Sequence, residues 1–188
     1  QVRLVQPEEE TRWQELMIQH HYLKSARMVG EQLRYVVEYQ GRWLALLGWS
    51  AASYHLKGRD GWIGWSDNQR RARLHLVANN ARFCRLGKPG QYPNLASQAM
   101  ALNLSRLSED WQAKYGHPIV LVESFVDPQW FRGTAYKASG WKAVGTTACF
   151  KRVTEDLYEA HESPKQLFVR QLRKNALQGL RGRKLPEG

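Results

Sequence analysis

The chain has 188 residues, 43% of them hydrophobic and 24% charged, a balance that suits one globular domain with a substantial core. No apolar stretch approaches the ~20 residues of a membrane span and no signal peptide is visible, so a cytoplasmic protein without a membrane partner is expected. Lysine and arginine outnumber aspartate and glutamate 28 to 17, a formal charge of +11, and such an excess points to an anionic partner, nucleic acid being the commonest.

Residues 2–5 read as a short first strand. Pro7 and the acids Glu8, Glu9 and Glu10 then open a helix, placed where a positive dipole end favours them, and Trp13, Leu16 and Met17 share one face. Residues 33–39 and 43–49 alternate around a Gly41-Arg42 turn and predict an antiparallel hairpin. Ser66 and Gln69 have the spacing of a capping box. The helix they open is expected to carry Leu74, Val77 and Ala78 inward and Arg70, Arg71 and Arg73 elsewhere. A central strand is expected at 82–86, then a Gly- and Pro-rich loop at 87–93. Asn94 is placed as the cap of a helix with Leu95, Ala99, Leu102 and Arg106 along one side.

Residues 119–126 form an apolar run with one charge, Glu123, as in a buried strand. Asp127 and Pro128 end it, a short helix fills 129–139, and Gly140 stands where a C′ glycine belongs. Apolar alternation resumes at 141–144, and the last strand is expected at 166–172. Residues 1–172 are read as one domain and 173–188 as a basic tail or linker. Cys84 and Cys149 lack metal-ligand or redox spacing and are read as reduced core residues; no metal cluster is evident.

Tyr136, Gly140, Trp141, Val144 and Gly145 follow a pattern of tyrosine, three residues, glycine, aromatic, then a strand with Val-Gly. This resembles the last helix of the GNAT acyltransferase superfamily, and the order of elements over 1–172 is similar to GNAT order. The resemblance implies an α/β fold: a mixed, centrally splayed sheet with helices on both faces. A second resemblance rests on Leu33-Arg34-Tyr35, on the run Arg59 to Trp65, on Asn79 to Phe83, on Leu95-Ala96-Ser97, on Asp110 to Pro118 and on Glu123 to Pro128. Together these resemble the bacterial family that includes the Druantia anti-phage protein DruA, whose relatives include regions preceding DDE-type transposase domains. It implies a role in phage defence or mobile elements, with DNA, a DDE-type transposase domain or other defence-system subunits as partners.

The GNAT resemblance implies acyl-CoA as the cofactor, its pyrophosphate held by the loop after the central strand through Lys88, Gly90, Asn94 and Ser97. That loop departs from the Gln/Arg-x-x-Gly-x-Gly/Ala usual in GNAT enzymes, and Pro89 and Pro93 each remove an amide donor. Tyr136 matches the acid that protonates the departing thiolate. Glu123, a carboxylate inside an apolar strand, is open to three readings: base for an amine, metal ligand, or partner of a buried arginine such as Arg82. Asp127 shares its strand face, and a nuclease centred on the pair is a further reading. For nucleic acid the candidates are Arg59, Arg70, Arg71, Arg73, Arg82, Arg85 and Arg132, with Trp62 and Trp65 to stack on bases. The leading expectation is a nucleic-acid-associated protein on a repurposed GNAT cleft. The alternative is an N-acyltransferase with Glu123 as base and Tyr136 as acid.

Overall fold

Nine strands and six α-helices are present among the residues that the computed structural model describes, 1–88, 90–128, 133–147, 150–152, 158–160 and 164–182. The strands are β1 (Val2–Leu4), β2 (Gln32–Tyr39), β3 (Arg42–Ala51), β4 (Val77–Arg85), β5 (Leu121–Val126), β6 (Lys142–Thr146), β7 (Phe150–Arg152), β8 (Tyr158–Ala160) and β9 (Gln166–Gln171). The helices are α1 (Glu10–His20), α2 (Lys57–Ile63), α3 (Asp67–Arg73), α4 (Leu95–Tyr115), α5 (Thr134–Ala138) and α6 (Ala176–Arg181). Seven strands make one sheet in the order β1-β2-β3-β4-β5-β9-β6, while β7 and β8 pair separately.

All neighbours in the large sheet are antiparallel except β4 and β5, which run parallel. That parallel ladder is brief: Val77 faces Leu121, Ala78 faces Val122 and Asn79 faces Glu123. Beyond it the strands part, although β4 stays on β3 as far as Arg85 and β5 stays on β9 as far as Val126. The cause is visible in the β3–β4 register. Gly48 pairs with Arg82 and Trp49 with Asn80, so Ala81 is an extra residue in β4. A bulge of this kind bends its strand and increases the local twist. The Asn80 amide spans it, donating to the Gly48 and Arg82 carbonyls at 3.4 and 3.3 Å.

Helix α4 covers one face of the sheet through Ala99, Met100, Leu104, Leu107 and Trp111, packed on Tyr35, Leu47, Trp49 and Phe168. Buried Asn103 on this helix accepts the Trp49 indole N–H at 2.6 Å, and Asp110 accepts the Tyr35 hydroxyl at 2.8 Å. On other layers Trp13 and Met17 of α1 pack with Val36 and Leu46, while Ile63 of α2 and Leu180 of α6 pack with Val77, Leu121 and Val169. Each such large side chain removed from water stabilises the fold by roughly 1.5–3 kcal/mol.

The hairpin, a buried strand within the expected 119–126 (β5, Leu121–Val126) and the Ser66 capping box form: Ser66 Oγ accepts the Gln69 amide and Gln69 Oε1 accepts the Ser66 amide. Three expectations are corrected. Helix α3 stops at Arg73, a single tight turn covers 74–76, and Val77 and Ala78 begin β4. Their apolar run fits helix and strand alike, and pairing with β3 and β5 decides. The buried face of α4 is shifted from the expected one, leaving Leu102 53% exposed. Asn94 has φ of 60° and makes no side-chain cap. Within the expected tail, α6 buries Ala176 and Leu180, and Arg73 Nη1 donates to the Leu180 and Gly182 carbonyls at 2.8 and 2.6 Å. Cys84 is a buried free thiol, while Pro89, Arg132 and Cys149 lie outside the described residues.

Candidate functional site

Where β4 and β5 part, a cavity of about 350 Å³ opens. Asn80, Ala81, Phe83 and Arg85 of β4 form one wall, and Ser124, Phe125 and Val126 of β5 form the other. Beyond Asn79 β4 is paired with β3 but no longer with β5, so that edge of the strand is open toward the gap, with the Ala81 carbonyl accepting Arg82 Nη1 at 2.7 Å. An unpaired strand edge of this kind offers hydrogen bonds to any extended ligand carrying amide groups.

Tyr136 on α5 closes the cavity. Its ring stacks on Phe168 with centroids 5.4 Å apart and meets Trp141 edge-on at 5.2 Å. Its phenolic oxygen accepts the Ser124 hydroxyl at 3.3 Å, and burial pushes the phenol above its ordinary range. It therefore keeps its proton at neutral pH and can act as an acid but not as a base. His21, directly after α1, is another wall residue and had no place in the cleft on sequence grounds. Its only sequence signal was its position at the end of the first helix, and the loop that folds it inward is irregular. Arg82 holds that loop, donating to the Ser25 and Arg27 carbonyls at 2.8 Å each.

Glu123 precedes Ser124 and points to the opposite face, as successive strand residues do. It is fully buried and does not border the cavity. Its partner is Arg59, not Arg82: Arg59 Nη1 reaches Oε2 at 2.8 Å, and the Ser53 amide reaches Oε1 at 3.0 Å. Burial pushes the carboxyl up while Arg59 pulls it back. The amine-base role expected for Glu123 is thus corrected to an ion pair that anchors α2 to the sheet. Asp127 is buried at the end of β5 and also stands outside the cavity wall. Among the described residues no group of three or more His, Cys, Asp or Glu is placed to hold a metal ion.

The loop expected to cradle pyrophosphate uses donors on itself. The Lys88 amide bonds Gln91 Oε1, the Gln91 amide bonds the Lys88 carbonyl, and Ser97 Oγ donates to the Asn94 carbonyl. Lys88, Gly90 and Asn94 do not border the cavity; Ser97 borders a smaller recess beside it, with Tyr136 and Trp141.

Most of the expected nucleic-acid residues are built into the interior. Arg59, Arg70, Arg73 and Trp65 are buried. Asp60 gathers three of them, with Arg59 at 2.9 Å, Arg70 at 3.6 Å and the Trp65 indole N–H at 3.0 Å. Trp62 packs against the α2–α6 core. Of the set, Arg71 and Arg85 are exposed, and Arg132 lies outside the described residues.

Residues 1–182 match the sequence profile of the Druantia protein DruA family. No curated protein sequence matches the chain. Among solved structures, the ribosomal-protein-S18-alanine N-acetyltransferase from Escherichia coli is similar with a TM-score of 0.57 at 8% identity, over 92% of this chain and 93% of that one. The aminoglycoside acetyltransferase AAC(6')-Ib, solved with ribostamycin and coenzyme A, has a TM-score of 0.56 at 14% identity over 97% of each chain. A spermidine N-acetyltransferase SpeG chimera from Vibrio cholerae and hSSAT has a TM-score of 0.55 at 10% identity, over 92% of this chain and 95% of that one. At these identities the likeness establishes the GNAT fold, with its sheet splayed at β4 and β5.

Proposed function

The chain belongs to the Druantia protein DruA family of anti-phage defence, and we propose that it works by binding an acyl-CoA-type thioester in the β4–β5 cleft, with Tyr136 as the acid. The observation that carries this reading is the open edge of β4, which has lost its pairing with β5 beyond Asn79 where residues of both strands line the cavity. The amide-bearing arm of an acyl-CoA is an extended chain that can pair with such an edge. An acceptor nucleophile attacking the thioester carbonyl would form the new acyl bond as the carbon–sulfur bond breaks; the Tyr136 phenol would protonate the departing thiolate, and water would take any proton the acceptor loses and return one to Tyr136. Arg85 contributes positive charge at the cleft, where the loop amides are engaged with one another. Glu123 stays out of the chemistry because Arg59 and Ser53 occupy it.

Calorimetric titration with acetyl-CoA tests the binding, and release of free thiol tests the step. Wild-type protein is expected to bind, and Tyr136→Phe to bind equally well but release thiol at least about a hundredfold more slowly. No heat with either acetyl-CoA or CoA would sink the proposal.

A second reading keeps DNA, or a DNA-bound transposase domain or defence subunit, as partner. The +11 charge favours it, with Arg71 and Arg85 as exposed contacts. On this reading affinity for duplex or single-stranded DNA falls steeply with salt and is lost in a double Arg71→Glu, Arg85→Glu variant. Retention that is indifferent to salt would end it.

A further inference from the structure

The charged side chains around the cleft are one-sided. Among the described residues that line it there is no carboxylate, whereas Arg85, Tyr136 and His21 all line the same space. His21 is 5% exposed. The Leu23 amide donates to its Nδ1 at 3.1 Å, so Nδ1 carries the lone pair and the ring hydrogen sits on Nε2. Burial, reinforced by the charges of Arg82, Lys165 and Lys24, pulls the imidazole down to about 4. At neutral pH the ring is a donor. Ser124 donates to the Tyr136 oxygen and leaves the phenol its own hydrogen to offer. An ammonium ion entering this space meets the Arg85 cation and only neutral acceptors, and finds no carboxylate among the described lining residues to replace its water. The acetyltransferases of similar fold that act on spermidine or aminoglycosides take cationic substrates.

We infer that the group seated in the β4–β5 cavity is an anionic oxygen acceptor rather than an ammonium, and that His21, donating through Nε2–H, is the residue that selects it. The inference rests on the cleft being the ligand site, as proposed above, but concerns what is seated beside the thioester. Phosphoryl and carboxylate oxygens share this chemistry.

The test is a set of calorimetric titrations with inorganic phosphate, acetate, AMP and spermidine, each with and without saturating CoA, on wild type, His21→Phe and His21→Gln. At least one anion is expected to bind the wild type, and spermidine is not. His21→Phe is expected to weaken the anion roughly tenfold, the effect of one lost hydrogen bond to a charged group, with His21→Gln restoring most of it because its amide also donates. The phosphate, acetate and AMP arms separate a free anion from a nucleotide. Imidazole nitrogen NMR on wild-type protein needs no variant: the Nε2–H resonance is expected to move on addition of the anion that binds. Spermidine binding to the wild type, anion affinity unchanged by His21→Phe, or a stationary Nε2–H resonance would each overturn the inference. Loss of acetyl-CoA binding with anion selection intact would remove only the thioester reading.

Discussion

Glu123 and Ser124 are neighbours on β5 and serve opposite faces of the sheet. On one face Glu123 is sealed against Arg59 and the Ser53 amide, in a region where β4 and β5 are still hydrogen-bonded. On the other face Ser124 holds the Tyr136 hydroxyl at the edge of the cavity, where the two strands have parted. The lesson is that a buried carboxylate in a central strand is not by that fact catalytic. The closed end of the sheet spends its charge on holding α2 and α3 in place, and the open end keeps donors, Arg85 among them, for a ligand.

The largest effect should come from breaking the closed end. Arg59→Leu leaves Glu123 buried without its counter-charge and is expected to cost about 3–5 kcal/mol. That should lower the melting temperature by roughly 10 °C for a chain of this size. A change near zero would show that Glu123 is not held as described. The paired variant Arg59→Leu, Glu123→Leu should recover most of the loss.

Acid should separate the two ends next. His21 binds its proton near pH 6.5 when unfolded but only near 4 in the folded chain. Between those values the unfolded state binds more protons, so stability falls as pH falls. It is fully present above 6.5 and is lost progressively toward 4, by up to about 3 kcal/mol. Denaturant titrations at pH 7 and pH 4.5 on wild type and His21→Gln should show the variant with the shallower dependence, and identical slopes would contradict the neutral His21.

At the open end, Tyr136→Phe should leave stability nearly unchanged, within about 1 kcal/mol, while slowing thiol release by about a hundredfold. A large drop in stability with normal thiol release would move Tyr136 from the chemistry to the core. The smallest effect is expected from Ser124→Ala. It removes one hydrogen bond to the phenol, worth about 1 kcal/mol, and should slow thiol release no more than roughly tenfold without affecting the Arg59–Glu123 pair.

Much of this architecture was legible in the residues. Alternation about Gly41-Arg42 specified the hairpin, Ser66 and Gln69 specified a helix start, and the run at 119–126 specified a buried strand, because each signal is local and repeats with the period of its element. The Tyr136 to Gly145 pattern also located the aromatic that closes the cavity. What could not be read locally was which side chains meet. Arg59, Arg70 and Arg73 look like a basic surface in sequence, yet α2, α3 and α6 fold them onto Asp60, Glu123 and the carbonyls of the last helix. His21 reaches the cleft because the loop after α1 is pinned by Arg82, about sixty residues away along the chain. Val77 and Ala78 become strand because β3 and β5 are there to pair with them. The sequence by itself determined most of the elements, since periodicity and capping are properties of short windows, and its motif phrases carried the resemblance that implied the splayed-sheet class. Only the tertiary structure decided which charges are buried, which carboxylate is locked away and which donors face the ligand, because those depend on contacts between residues far apart in the chain.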